Sequence, residues 1–430
     1  MVKRPTVQEE AIVNSASRMV RNLLTPIAKR VLLTWERLES GISFDLTSRD
    51  VRSNPYGLYE RLRQRGPVHR MRLINGWALT RYEDAQTVLL DHKRFSSGEN
   101  KLEYAPYRTM LDLDPPDHTR LRSLVSKAFT PRSVSALGPR VDQIVEELLD
   151  GLAGRERFDL VGEFAFPLPV IVIAEMLGIP AEDRDRFNVW SNDIALAVEP
   201  VLNEEEIGRV ERSSAEIVDY FEEIIARRRQ RPEDDLLSAL LAAEEEGDRL
   251  SHDELIGTLM LLLVAGNETT RSLIGNGMLA LLRNPEQLQR LRDHPALMDS
   301  AIDELLRYDS PVQFIIRVVL EDMEFLGRRF RAGQKVLVLV GAANRDPAVF
   351  ADPERLDIGR EEKSHISFGR GIHYCLGSPL ALLEARAAFA GLLARFASIQ
   401  LVSEPEFRNQ IVLRGVEDLW IEVDKAPARN

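Results

Sequence analysis

Apolar residues recur three to four positions apart through most of this chain, the period of helices that bury one face. The spacing predicts helices from Val141 to Leu152, Glu205 to Arg229, His252 to Leu282, Pro285 to Tyr308 and Pro379 to Phe396. Strand signals are fewer. The stretches from Val68 to Arg72 and Trp77 to Arg81 flank Ile74-Asn75-Gly76, whose Asn-Gly pair suits a hairpin turn, and Lys335 to Val340 is a compact apolar run. The expected fold is mainly α with a small β-sheet lobe. Residues 1–40 stand apart: Ile12, Met19, Val20, Leu23, Leu24, Ile27, Val31 and Trp35 recur at helical spacing among Arg18, Arg21, Lys29 and Arg30. That pattern predicts an amphipathic extension, either packed on the body of the protein or resting against a membrane surface.

Composition adds limits. The 430 residues contain no low-complexity linker or internal repeat, so 41–430 reads as a single domain following the 1–40 extension. A net charge of −12 argues against nucleic acid as a general partner. The most apolar run, Leu259 to Gly266, is far shorter than the ~20 residues needed to cross a bilayer, so no transmembrane segment is expected. One cysteine excludes an internal disulfide and suits a reducing, cytoplasmic setting.

That cysteine is also the centre of the chemistry. Cys375 lies in Phe368-Gly369-Arg370-Gly371-Ile372-His373-Tyr374-Cys375-Leu376-Gly377, a loop flexible enough to bend closely around a flat cofactor, at the start of an amphipathic helix whose N-terminal end favours a thiolate. Taken alone, a lone cysteine is usually a small buried hydrophobe. The glycine spacing and two further motifs favour a haem-iron ligand instead, and a thiolate ligand directs haem toward cleaving O2. The first of these motifs is Ala265-Gly266-Asn267-Glu268-Thr269-Thr270, a polar break in an apolar helix where Glu268 must reach water, pair or be protonated. The second is Glu304-Leu305-Leu306-Arg307, acid and base on one helical face, a pattern also common on solvated helices.

Together, in this order, these motifs resemble those of the cytochrome P450 superfamily, and the chain is most similar to its soluble bacterial members from about Asn54 onward. The resemblance implies haem b (iron protoporphyrin IX) bound through Cys375, with Phe368, Gly369 and Gly377 shaping the loop. It also implies that Ala265 and Gly266 lie against the distal face, that Glu268 and Thr269 deliver protons, and that Glu304 and Arg307 form a structural ion pair. Propionate partners would be His118, Arg122, Arg317 and His365, with His373 as a fifth contact. Matching regions would place the substrate pocket at the Tyr104-Ala105-Pro106-Tyr107 loop, Leu262, Ala265, Val312 to Ile315 (including Phe314) and Ile411-Val412, with polar orientation points at Tyr107 and Gln313.

The implied reaction is monooxygenation of a hydrophobic small molecule, such as a fatty acyl chain, terpenoid, steroid or polyketide, by hydroxylation or epoxidation. No flavin, iron–sulfur or dinucleotide segment is evident in the chain. Electrons from NAD(P)H would therefore arrive through an external ferredoxin, or a flavodoxin, and its reductase, with Arg120, Lys127, Arg132 and Arg370 as docking candidates. Alternatives on the same scaffold are a peroxide-driven peroxygenase, nitric oxide reduction and a non-catalytic haem sensor. The intact acid–threonine pair weighs against each of them.

Overall fold

The computed structural model describes residues 27–98, 107–199, 202–245 and 248–425. Helix α1 (27–40) leads to the hairpin β1 (Val68–Met71) and β2 (Gly76–Leu79), followed by the short strand β3 (Phe95–Ser96). The helical body comprises α2 (Asp117–Ala128), α3 (Gly138–Gly151), α4 (Arg184–Ala195), α5 (Glu204–Gln230), α6 (His252–Arg283) and α7 (Met298–Tyr308). Strands β4 (Ile315–Val319) and β5 (Lys335–Val338) return to the sheet, then α8 (Ser378–Arg395) and the strands β6 (Phe396–Leu401) and β7 (Trp420–Lys425) close the chain.

Helix α6 is the axis of the body. It starts at Ser251, whose hydroxyl caps Glu254 N while the Glu254 carboxylate accepts from Ser251 N at 2.8 Å. From Leu255 to Leu281 it is buried on nearly every side, because α4, α7, α8 and the apolar segment Pro167–Met176 all pack against it. An all-round apolar helix is stable only with such a surround.

The sheet has the order β1-β2-β5-β4-β3, with β5 parallel to β2 and the other neighbours antiparallel. The hairpin turns where the Asn-Gly pair predicted it, with Asn75 at φ 49°. Gly76 is required there for a second reason: a Cβ would lie 2.3 Å from Lys335 O on the parallel neighbour. Strand β5 is an unbroken apolar run because both its faces are covered. Val336 and Val338 pack with Leu79 and Phe95, whereas Leu337 packs with Met71, Ala78 and Phe314.

Two expectations change. The predicted helix from Pro285 to Tyr308 is two helices, Pro285–Asp293 and α7, joined through the turn Pro295–Leu297, because Pro295 cannot donate the backbone hydrogen bond that continuation requires. The described part of the amphipathic extension, α1, is held through polar residues: Lys29 pairs with Asp45 and Glu39 with Arg72, and the most buried contact is that of Glu36. Glu36 is 1% exposed and accepts from Phe44 N (2.6 Å), Arg72 N (2.8 Å) and the His69 ring (2.9 Å). Ile27, Val31 and Trp35 of its apolar face are exposed, as is Leu38. Ile12 to Leu24 lie outside the described residues.

The interface of α6 and α8 also contains a fully buried acid. Glu384 bonds to Thr270, and burial pushes its carboxyl from the ordinary 4.5 up to about 8. The native state therefore holds it neutral while the unfolded chain ionises it, so its contribution to stability is present below pH 4.5 and is lost as pH rises toward 8. Glu384→Gln is expected to flatten the fall in stability between pH 5 and 8 by on the order of 3 kcal/mol in denaturant melts. An unchanged pH profile would show that the acid is already ionised in the fold.

Candidate active site

The cysteine loop is fixed by its own backbone. Gly369 N donates to Ile366 O and Cys375 N to Phe368 O, both at 2.9 Å, so the loop closes on itself immediately before α8. Gly371 has φ 71°, and a Cβ there would meet Leu89 O at 2.7 Å. Only glycine lets the loop lie that close to the helix Tyr82–Leu90. The Cys375 side chain is accessible. Loss of solvent around the sulfur nonetheless raises the thiol above its ordinary range, and the N–H groups of Gly377 and Ser378, with the charge of Arg122, oppose that only in part. The helix start thus acts in the direction the sequence suggested, but burial outweighs it. A bound cation at the sulfur would reverse the balance.

Basic groups gather beside this loop. Arg122 donates to Tyr374 O at 2.7 Å, next to Cys375. His118 and His373 bring their rings to 4.2 Å, and both ring nitrogens of His118, together with His373 Nε2, are buried without a hydrogen-bond partner. Arg317 on β4 is 7% exposed, and among the described residues its guanidinium donates only to Ile316 O, at 2.9 Å. Burial first, then mutual repulsion, depresses the members: His373 is lowered to about 3, and burial alone accounts for Arg317 at about 10. A buried arginine, a half-buried one and two imidazoles with unused ring nitrogens, with no carboxylate paired to them among the described residues, form a receptor for anions. The paired carboxylates of a haem fit that donor set.

His365 is placed differently. It accepts from Ser367 N at 3.3 Å and faces Asp303 at 3.6 Å, and no contact links it to the other four among the described residues.

On α6, nothing outside the helix's own backbone and the adjoining residues lies within 4 Å of where a Gly266 Cβ would stand, and neighbouring Ala265 is exposed although most of the helix around it is buried. A flat ligand can approach the helix at this gap. Thr269 Oγ1 donates to Ala265 O at 2.7 Å, across the same gap. Glu268, 1% exposed, resolves its burial by pairing: Arg408 from the C-terminal loop bonds to Oε2, Arg271 stands 3.9 Å from Oε1, and Oε1 itself has no hydrogen bond. Asn267 anchors the helix to α4 through Ser191 at 2.8 Å.

Glu304 and Arg307 are buried rather than solvated. Arg307 grips Glu304 at 2.6 and 2.9 Å and also reaches Asn344 O and Pro353 O, while Arg360 and Asp357 N bond to the same carboxylate.

The pocket candidates divide. Phe314 and Ile411 line one small cavity with Leu46, Val51 and Arg52. Ile315 Cδ1 lies 3.7 Å from the Cβ direction of Gly369, which sets it against the cysteine loop. Leu262 is half-buried on α6, and Tyr107 packs one turn further back, against Gly257. Val312 pairs with Leu413, and Gln313 N donates to Val412 O. Tyr104, Ala105 and Pro106 lie outside the described residues. Gln313 is not free to orient a ligand, because its amide is taken by Ser310 O (2.8 Å) and Tyr59 OH (3.2 Å). Of the docking candidates, Arg120 is paired with Glu254 and Asp248, and Arg370 is tied to Tyr82, Ser364 and His365, whereas Arg132 is exposed.

One residue carries no sequence signal at all. Glu199, just beyond α4, is 4% exposed and its carboxylate accepts from Ile411 N (2.8 Å), Val412 N (3.1 Å) and Leu413 N (3.5 Å). It clasps the α4–α5 region to a pocket wall. Burial raises its carboxyl to about 7 against these three bonds and the charge of Arg52. A clasp whose closed state has the higher pKa takes up a proton on closing, so closure weakens as pH rises from about 4.5 to 7. The rate of substrate entry, followed by stopped flow, is therefore expected to rise over that interval in the native protein and stay flat in Glu199→Gln. Equal pH dependence in the two would exclude the clasp.

Comparison with known proteins agrees with the geometry. The family profile "Cytochrome P450" matches residues 187–417. Cytochrome P450 107B1 of Saccharopolyspora erythraea is 44% identical over 384 residues, spanning 84% of this chain and 93% of that protein. Among solved structures, the polyketide synthase cytochrome P450 PksS of Bacillus subtilis superposes with a TM-score of 0.84 at 40% identity, covering 89% of this chain and all of its own. The structure of P450BioI with a hexadec-9Z-enoic acid-ligated acyl carrier protein gives a TM-score of 0.83 at 36% identity, over 88% of this chain and 100% of that chain.

Proposed function

The chain belongs to the cytochrome P450 family and is an oxidoreductase of that family; from that premise we propose that it inserts one atom of O2 into a hydrophobic small molecule, using electrons from NAD(P)H delivered by a separate redox protein. The observation that carries this reading is the anion receptor of His118, Arg122, Arg317 and His373 beside Cys375. When bound, haem supplies oxygen activation and transfer, the chemistry no side chain offers. The balance is substrate, O2, two electrons and two protons giving oxygenated product and water.

The residues divide that work. Cys375 would ligate the iron of a bound haem, and the four basic groups would hold its propionates. Glu268, gripped by Arg408 in the resting arrangement, exchanges protons with water on release. Thr269 passes them on when its hydroxyl leaves Ala265 O. Phe314, Ile315, Leu262 and Ile411 give the substrate an apolar wall.

Thr269→Ala is expected to keep reductant consumption within a few-fold of the native rate while most of the electrons leave as hydrogen peroxide rather than product. Tight coupling in that variant would remove Thr269 from the proton path.

For the function itself, ferric protein is titrated with fatty acids, terpenoids, steroids and macrolides while the Soret band is followed. Because P450BioI is held with an acyl carrier protein, carrier-bound acyl chains join the panel. A shift from one class, followed by oxygenation with ferredoxin and reductase, supports the reading. Protein that takes up no haem defeats it, and product formed with peroxide but not with the redox proteins defeats its electron route.

A further inference from the structure

The exposed face of α1 has no role in the chemistry above. Ile27, Val31, Trp35 and Leu38 are spaced four, four and three residues apart, so they form one stripe, and they are 72%, 58%, 51% and 81% exposed. The opposite side of the helix is committed: Glu36 is buried in its three hydrogen bonds, and Lys29 pairs with Asp45 at 2.9 Å. Four large apolar side chains in a row on a helix already docked by its other face call for a partner.

Charge indicates which one. Residues 1–40 carry seven Lys or Arg and four Glu, a net of +3, so the remaining 390 residues carry −15 of the overall −12. Arg30 and Arg37 are exposed beside the stripe, whereas the Arg72 guanidinium, 4.2 Å from the Trp35 ring at its edge, is already paired with Glu39. The sequence before α1 continues the pattern, with Val20 and Leu24 at the same spacing among Arg18 and Arg21. Apolar stripe, tryptophan at the margin and flanking cations on an otherwise acidic protein are the features of a helix lying in a bilayer interface. No helix among the described residues is long and apolar enough to cross a membrane. The chain that follows α1 supplies Leu46 and Val51 to the cavity shared with Phe314 and Ile411, so the stripe leads toward an apolar pocket wall.

We propose that the protein docks peripherally on an anionic lipid surface through Ile27, Val31, Trp35 and Leu38 of α1, with Arg30 and Arg37 toward the headgroups. The full-length, haem-loaded protein is mixed with vesicles of phosphatidylglycerol and phosphatidylcholine, or of phosphatidylcholine alone, and bound protein is sedimented. The expected result is binding to the anionic vesicles that falls with added salt, and falls about tenfold or more in Val31→Ser/Leu38→Ser. That double variant changes only exposed side chains, and an unaltered haem spectrum verifies that it is folded. Absence of vesicle binding by the native chain overturns the proposal, as does binding that the double variant retains. Self-association of the native chain that Val31→Ser/Leu38→Ser abolishes, without vesicle binding, would assign the stripe to a second copy and equally overturn it.

Discussion

Cys375→Ala is expected to bring oxygenation to background and to erase the thiolate signature of the carbon monoxide-bound reduced haem. The chain has no second cysteine, so no other thiolate can substitute. The loop backbone should survive the change, because Cys375 N, Gly369 N and Tyr374 N make their hydrogen bonds through main-chain atoms. The four basic groups beside the loop also remain, so the variant is expected to retain some haem while losing the electronic push of sulfur. Haem content, the carbon monoxide difference spectrum and product formation together separate a lost ligand from a lost fold. Product formed by well-folded Cys375→Ala at more than a trace of the native rate would refute the assignment of the iron ligand.

Arg307→Ala is expected to destabilise the native protein by about 3–5 kcal/mol, because it leaves the Glu304 carboxylate buried with only Arg360 and one backbone N–H. The loss also orphans the carbonyls of Asn344 and Pro353, which accept from the same guanidinium at 2.9 Å. Arg307→Lys should recover only part of this, since an ammonium cannot bridge two carboxylate oxygens and two carbonyls at once. The surface pair Arg49–Glu406 provides the contrast: with side chains 83% and 79% exposed, its removal should change little in the same denaturant titrations. A shift below about 1 kcal/mol for Arg307→Ala would mean that the network contributes only geometry.

These two positions also mark what the sequence can show. The tight loop around Cys375 was legible because its residues are fixed by backbone demands, as with Gly371 against Leu89 O, and such demands leave residue types at set offsets. Helices such as α5 and α6 were legible for a similar reason, since a buried face imposes its period. The Glu304–Arg307 spacing was visible but its burial was not, because the segment that covers it, around residues 353–360, arrives some 50 positions later. Arg408 and Glu199 left no trace. Their partners lie 140 and 212 residues away, so no local pattern distinguishes either from an ordinary surface charge. Gln313 failed in the opposite sense: a polar residue in an apolar stretch suggested a ligand contact, yet internal partners already take its amide. The break at Pro295 shows that one residue without an N–H can override an intact hydrophobic period.

The grip of Glu199 on residues 411–413 uses main-chain N–H groups alone. The side chains of Ile411 and Val412 pack against the cluster around Leu46 and Phe314 but take no part in that grip, so apolar exchanges there leave the grip on what closes over them intact. Natural variation or directed evolution can then search these two sites for new substrate shapes at little structural risk, provided that neither becomes proline. A library of apolar residues at 411 and 412 should thus be rich in folded, haem-bearing members with altered selectivity, whereas one randomised at 199 should be poor in them.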